Sequence, residues 1–181
     1  MSHLLIPKPK PGEFAPYYAT YIDAVREGDL LKLLEEQGAE MADLLGAFGE
    51  ARGTYRYAPN KWSVKEVLGH ITDTERVFAY RALRFARADS TPVPGFEQDA
   101  YVAAAGFDRR TLDDLAEEFF DVRKATIKLF AGLDALALKR AGVASGFPMT
   151  VRAAAWIIAG HEQHHARILR ERYLTDPPAR S

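Results

Sequence analysis

The fold is decided by one stretch of the chain, Trp62-Ser63-Val64-Lys65-Glu66-Val67-Leu68-Gly69-His70-Ile71-Thr72-Asp73-Thr74-Glu75. Ser63 followed three residues later by Glu66 is a capping box, which predicts that a helix begins here, and Trp62 resembles a hydrophobic staple. Apolar residues then recur three and four positions apart to about Arg87, a spacing typical of an amphipathic helix. The stretch therefore predicts a long helix that carries His70 on its patterned face.

Three further long helices are predicted around this one. One begins at Leu30 behind Asp29 as N-cap and ends near Phe48, and a second follows Thr111 and ends near Gly132. The last runs from about Val151 to Tyr173 behind Thr150. No alternating run of five residues predicts a strand. The sequence thus predicts an all-α fold, a four-helix bundle, with a further short helix around residues 17–26.

The segments outside the long helices have their own composition. Prolines at positions 7, 9, 11 and 16 predict an extended N-terminal arm over residues 1–16. We expect the helical domain to span residues 17–174 and residues 175–181 to form a flexible tail. The connection over residues 89–110 is long for a loop, which predicts a functional role or a short helix within it.

Composition excludes several classes of function. The 181 residues include 24 basic and 25 acidic side chains, and a net charge of −1 argues against a nucleic-acid partner. Apolar stretches are too short for a membrane span, and the N-terminus lacks the features of a secretory signal, so we expect a cytoplasmic protein. The chain has no cysteine. Any thiol chemistry must therefore use a thiol that arrives on a substrate or cofactor.

Histidines form the candidate functional site. His161 and His165 are four residues apart, so they lie on one face of the last helix, and His70 lies on another helix. If these helices face each other, the three imidazoles can hold one divalent metal ion and leave a coordination position open. Gly69 and Gly160 precede the two groups and predict either close helix approach or room for a ligand.

Two other metal sites fit parts of this pattern less well. His161-Glu162-Gln163-His164-His165 reads as the H-E-x-x-H motif of zinc proteases, with Glu162 as general base. No histidine follows it, and no sheet is predicted to flank it. A diiron site needs two Glu-x-x-His pairs, and Glu66 stands four residues before His70 rather than three.

Polar neighbours are candidates for tuning the site or for binding substrate. Asp73, Glu162 and His164 are the candidates for contacts to the ligand imidazoles. Glu75 points away from His70 around the helix, and we expect it to pair with an arginine from residues 76–87 or across a subunit contact. Arginines that are candidates for binding a substrate carboxylate are Arg81, Arg84, Arg87, Arg152 and Arg167.

The combined motifs resemble the DinB-like superfamily, in its YfiT-related branch. The resemblance rests on residues 62–75, 78–87 and 160–169 and covers roughly residues 15–174. It implies a four-helix bundle, often a homodimer, with one divalent metal ion held by His70, His161 and His165. Relatives have been described as metal-dependent hydrolases, some transfer bacillithiol, and a distant one uses mycothiol in maleylpyruvate isomerisation.

These observations predict a metal-dependent enzyme that acts on a small molecule. A bound divalent ion lowers the pKa of a coordinated thiol or water. The absence of cysteine and the resemblance favour activation of a small thiol for S-transfer to an electrophile. Hydrolysis by water, a non-catalytic metal-binding stress protein and a bundle without metal stay open as alternatives. Zinc, nickel, iron, cobalt and manganese also stay open, because three imidazoles accept each of them.

Overall fold

The computed structural model describes residues 5–174, so the predicted tail and the first four residues of the arm lie outside it. The described elements in chain order are α1 (Ala19–Ala24), α2 (Leu30–Arg52), α3 (Val64–Ala86), α4 (Gln98–Ala105), α5 (Leu112–Ala131), α6 (Ala135–Lys139), β1 (Ala141–Ala144), β2 (Phe147–Thr150) and α7 (Val151–Ile168). Short 3₁₀ turns precede α1 and follow α4, and a π-helical turn, Leu169–Tyr173, continues α7.

The four long helices begin where the sequence predicts. The Asp29 side chain accepts hydrogen bonds from two backbone N–H groups of α2, and the capping box of Ser63 and Glu66 is complete at α3. Thr111 and Thr150 cap α5 and α7 in the same way. Each cap satisfies N–H groups that have no partner within the helix, which is why these residues define the boundaries.

The long helices close into a ring. α3 packs against α7 and α5, and α2 packs against the same two helices from the other side. This confirms the four-helix bundle. The short α1 packs on α7, and α4 lies in the long connection, for which the sequence predicts a functional role or a short helix. None of the described helices combines the length and apolar character needed to cross a membrane.

One small correction concerns residues 133–150, where no alternating run of residues predicts a strand. β1 and β2 pair there as an antiparallel hairpin, with Ala141 opposite Thr150 and Ala144 opposite Phe147. Its two turn residues, Ser145 and Gly146, both have positive φ angles of 54° and 82°, as a tight hairpin turn requires. Strands of four residues are too short to show an alternating pattern.

The described part of the proline-rich arm packs against the bundle. Ile6, Phe14 and Ala15 are buried, and the Trp156 indole donates a hydrogen bond to the Ile6 carbonyl at 3.1 Å. Glu13 also accepts a hydrogen bond from Thr150 at 2.9 Å. The apolar residues of the described arm therefore belong to the core. The division between arm and domain stays a prediction.

A polar layer divides the core into two apolar clusters. One cluster includes Phe85, Phe130 and Trp156, and the other includes Phe48 and Phe119. Each long helix contributes to both clusters and carries polar residues between them. The buried or half-buried members of this polar layer are Gln37, His70, Thr72, Thr74, Glu75, Arg123, Thr126, His161, Glu162 and His165. Polar groups in such a position need partners or a ligand.

Candidate metal centre and the cavity beside it

The structure brings His70 of α3 together with His161 and His165 of α7. One ligand nitrogen from each of the three imidazoles lies within 4.8 Å of the other two. The Nε2 atoms of His70 and His161 are 3.0 Å apart. Zn–N bonds of about 2.0–2.1 Å at a tetrahedral ion would place the nitrogens roughly 3.3 Å apart. The spacing therefore fits a single divalent ion after small side-chain shifts.

Two glycines allow neighbouring segments to approach the histidines closely. A Cβ on Gly160 would lie 2.2 Å from the carbonyl oxygen of Tyr21, and one on Gly69 would lie 2.4 Å from the Phe107 ring. Both distances are far below van der Waals contact. Of the two predicted roles, close approach is therefore confirmed, although the neighbours are α1 and the turn after α4 rather than the facing long helix.

The three imidazoles are held in the neutral form. Burial lowers the pKa of His70 to about 4 and the pKa of His165 to about 3. Burial also lowers the pKa of His161 well below its ordinary value, and the neighbouring histidines lower it further. Neutral imidazoles have the lone pairs that a metal ion needs. The donor set therefore fits a borderline divalent cation chemically as well as in spacing.

A cavity of about 590 Å³ opens beside His70 and His161. Most of its wall is aromatic or apolar, and the remaining wall residues are small, polar or the exposed Glu97. The wall comprises Tyr17, Tyr18, Tyr21, His70, Thr74, Phe78, Gly95, Phe96, Glu97, Gln98, Ser145, Ile157 and His161. A smaller cavity of about 300 Å³ reaches His165 from another direction, between Trp62 and Asp99. Small molecules can therefore approach the histidines through a cavity of the size that ligand sites usually have.

The three predicted neighbours of the imidazoles lie in different surroundings. Asp73 faces Arg76 at 3.5 Å, and burial raises the pKa of its carboxyl. His164 packs beside His165, with 5.1 Å between ring centres, and edge-on to Tyr21 at 5.3 Å. Glu162 contacts Arg123 at 2.5 Å. Within residues 5–174 neither Asp73 nor Glu162 accepts a hydrogen bond from an imidazole.

The expected partner of Glu75 was wrong. Glu75 pairs with Arg123 of α5, whose Nε and Nη2 atoms donate to its carboxylate at 3.0 and 2.6 Å. Arg123 also donates to the Leu34 carbonyl at 3.0 Å and contacts Glu162. This buried cluster of Glu75, Arg123 and Glu162 is named the ion cluster. The Glu162 carboxylate faces Arg123 as an ion pair, although its Oε2 atom makes no directed hydrogen bond within residues 5–174. This orientation removes the geometry that a zinc-protease general base requires.

Four of the five candidate arginines face solvent or a carboxylate. Arg84 pairs with Asp89 at 2.6 Å, Arg167 lies 3.9 Å from Glu171, and Arg152 pairs with Glu13. Arg87 is exposed. Arg81 differs from them because it is buried, next to the cavity-lining Phe78 of α3.

Several residues beside the histidines were missed as site residues. The Trp62 ring lies 4.7 Å from the His70 ring, and the Tyr21 ring lies 5.6 Å from the His161 ring. The charge of Asp99 raises the pKa of His70 against the larger effect of burial. Tyr21 and Asp99 come from α1 and α4. The short helix and the unusual length of the connection were the available signals, but neither shows which side chain faces the histidines.

Comparisons with known proteins agree with the architecture. The solved structure of YfiT from Bacillus subtilis, described as a probable metal-dependent hydrolase with an unusual four-helix bundle topology, matches with a TM-score of 0.72. The match covers 89% of this chain and 92% of YfiT at 16% sequence identity. No curated protein matches the chain significantly. The pattern of the DinB superfamily matches residues 33–169. The chain therefore belongs to the DinB superfamily.

Proposed function

We propose that the protein is a metal-dependent enzyme whose ion is held by His70, His161 and His165 and which transfers a small thiol to an electrophilic substrate. The observation that carries the proposal is the set of three neutral, converging imidazoles beside a cavity. A divalent ion bound there would lower the pKa of a coordinated thiol or water.

The residues around the imidazoles support an enzyme rather than a closed structural site. Structural zinc sites have four protein ligands, whereas three histidines leave a position for an exogenous molecule. The cavity wall near His161 is formed by aromatic rings such as Tyr18, Tyr21 and Phe78. These rings would exclude water and bind an apolar part of the substrate. The volume of about 590 Å³ leaves room for a thiol beside an electrophile.

Because the chain has no cysteine, the sulfur atom in the proposed reaction comes from a small thiol. The thiol S–H bond loses its proton to solvent, and a bond forms between sulfur and an electrophilic carbon. The leaving group then departs from that carbon with its bonding electron pair. The chain contributes binding, orientation and exclusion of water, and we assign no general base to it.

Hydrolysis is the second candidate. It is favoured by the likeness to YfiT, which is described as a probable metal-dependent hydrolase. Water would then replace the thiol as nucleophile at the same site. The two candidates differ in one simple observable, because only S-transfer gives a rate that depends on added thiol.

The first test is metal content per chain, by elemental mass spectrometry, for untagged wild type, His165→Ala and His164→Ala. We expect about one equivalent in wild type and His164→Ala, and almost none in His165→Ala. Chelation should lower the melting temperature of wild type and leave that of His165→Ala unchanged, because a ligand that binds only the folded state stabilises it. Full metal content in His165→Ala would contradict the proposed ligand set.

The second test separates the two reactions on metal-loaded protein. Monochlorobimane with cysteine or bacillithiol reports S-transfer, and p-nitrophenyl acetate without thiol reports hydrolysis. A thiol-dependent rate that His165→Ala abolishes supports S-transfer. A rate with the ester alone favours hydrolysis. Full metal occupancy with no rate in either assay, or across a wider panel, would favour a non-catalytic metal-binding protein.

Two wider expectations accompany this proposal. The resemblance implies a homodimer, which light scattering on the purified protein tests directly. Localisation in the cytoplasm also stays a prediction, and fractionation of the producing cell tests it.

A further inference from the structure

Arg81 carries a buried positive charge that has no carboxylate beside it. Its side chain is 1% exposed. Nη2 donates to the Pro94 carbonyl and to the Ser145 hydroxyl, both at 3.0 Å. Nε and Nη1 are buried and have no hydrogen-bond partner. Within residues 5–174 no ion pair neutralises this guanidinium. Burying a charge in this way is unfavourable unless a partner of opposite charge arrives.

The guanidinium lies directly behind the wall of the larger cavity. Its central carbon is 5.0 Å from the centre of the Phe78 ring, and its partner Ser145 is a wall residue at the tip of the β1–β2 hairpin. Burial raises the pKa of the Tyr18 hydroxyl, and both the charge of Arg81 and the closeness of its N–H groups lower that pKa. Phe78, Ser145 and Tyr18 all line the cavity. A ligand in the cavity would therefore lie close to Arg81.

Arg81 and His70 belong to one face of α3. They are separated by three helical turns, which is roughly 16 Å along the axis, and the arginine side chain leans back toward the N-terminus. Thr74 lies between them on the same face. Its Oγ1 atom is buried without a hydrogen-bond partner. Thr74 and Arg81 therefore add hydrogen-bonding groups without partners to the face of α3 that carries the His70 imidazole.

The wall chemistry limits the ligand class. Phe78, Phe96 and Ile157 provide apolar surface between the two ends of the cavity, and no lysine or arginine is among the residues that line it. A single guanidinium matches one negative charge, and its free N–H groups suit carboxylate oxygens. A phosphate dianion would need more cations than this wall offers.

We propose that Arg81 binds the carboxylate of a ligand whose apolar body lies along Thr74 and Phe78 and whose other end reaches His70 and His161. Ser145 and Tyr18 line the cavity and are close to the guanidinium, and in this proposal they shift when the carboxylate binds. That this ligand is the substrate rests on the proposed function, whereas the carboxylate site itself does not.

The test uses ω-phenyl carboxylates from phenylacetate to 6-phenylhexanoate, each beside its neutral amide, in calorimetric titrations. The proteins are wild type, Arg81→Met, His165→Ala and Arg84→Met, which removes an arginine of the same helix that is paired with Asp89. We expect wild type and Arg84→Met to bind at least one carboxylate at least about tenfold more tightly than its amide. Arg81→Met should lose this preference, and His165→Ala should keep it.

Three outcomes would overturn the proposal. The first is equal binding, or no binding, of acid and amide across the series. The second is a preference that His165→Ala abolishes and Arg81→Met keeps, because the carboxylate would then bind at the metal centre. Metal content is measured on the same samples. If wild type itself binds no metal, a preference that Arg81→Met abolishes would keep the Arg81 site while contradicting the proposed function.

The third is a large loss of stability in Arg81→Met. Removal of an unpaired buried charge should leave the melting temperature of the ligand-free protein unchanged or higher. A structural arginine would behave oppositely, and a clear fall in melting temperature would identify Arg81 as one. The carboxylate should raise the melting temperature of wild type and have no effect on that of Arg81→Met.

Discussion

The polar layer has a paired side, which holds the ion cluster, and an open side, which faces the larger cavity. Glu75 immediately follows Thr74, and Glu162 immediately follows His161. Adjacent helical residues point about 100° apart, and here the two glutamates meet Arg123 whereas Thr74 and His161 line the cavity. On the paired side, Arg123 is 3% exposed and contacts two carboxylates. Arg81 lies next to the open side, outside the polar layer itself; it is 1% exposed, and no carboxylate pairs with it within residues 5–174.

The difference separates two uses of buried polar groups. The ion cluster joins three helices, because Arg123 of α5 contacts Glu75 of α3 and Glu162 of α7. Its charges are therefore structural in our interpretation. The open side keeps neutral imidazoles and unpartnered donors next to a cavity, where a ligand can use them. Mutations on the two sides should accordingly affect stability in opposite ways.

The largest expected effect is a loss of stability on the paired side. Arg123→Met should lower the free energy of unfolding by about 3–5 kcal/mol, because two buried carboxylates would lose their counter-ion. Urea denaturation of the metal-free protein measures it. Arg76→Met is the matched control, since Arg76 forms ion pairs at the surface. It should cost less than about 1 kcal/mol. Equal losses in the two variants would show that the ion cluster contributes no more to stability than a surface ion pair does.

A smaller effect should appear in the dependence of stability on pH. Burial lowers the pKa of His70 to about 4 and that of His165 to about 3, so their contribution to the stability of the metal-free protein is lost as the pH falls below 6.5. Glu162 acts oppositely. Burial raises its pKa from 4.5 to about 7 against the attraction of Arg123, so its contribution is lost as the pH rises toward 7.

The two sides therefore oppose each other between pH 4.5 and pH 6.5. Removing the acid with Glu162→Gln should make the loss of stability on acidification steeper than in wild type, by up to about 1.4 kcal/mol per pH unit. His165→Ala should make it shallower. Urea titrations at a series of pH values, with chelator present, measure both slopes. Parallel curves for wild type and Glu162→Gln would show that Glu162 does not oppose the effect of the histidines on stability.

Local signals explain why much of the fold could be predicted. Capping residues and helical periodicity act within a few positions of the chain, so the starts of α2, α3, α5 and α7 follow from the sequence. The pair His161 and His165 also shares one helix, which places both imidazoles on one face without knowledge of the fold. His70 needed the packing of α3 on α7, which the sequence and the resemblance could only imply.

The rest depends on how the helices are rotated against one another. Arg123 falls between Phe119 and Thr126 at the spacing of the buried face of α5, and Arg81 falls between Phe78 and Phe85 on α3 in the same way. The spacing shows that both are buried. It does not show that one meets two carboxylates and the other none. The hairpin was missed because its pairing is supported by Val93, far away in the sequence.

The smallest expected effect compares two buried threonines of α3 and tests the open side most directly. Thr72 donates from Oγ1 to the Leu68 carbonyl at 3.0 Å, whereas Thr74 Oγ1 has no partner. Both are 3% exposed, and valine matches the shape of threonine. Thr72→Val should therefore cost about 1 kcal/mol of unfolding free energy, because a made hydrogen bond is lost.

Thr74→Val should be neutral or stabilising by up to about 1 kcal/mol, because it removes a buried hydroxyl that pays for desolvation without a hydrogen bond. Urea denaturation of the ligand-free protein measures both variants. A cost for Thr74→Val equal to that of Thr72→Val would mean that the hydroxyl already has a partner, such as an ordered water. The open side would then be satisfied without a ligand, and the contrast with the ion cluster would no longer hold for Thr74.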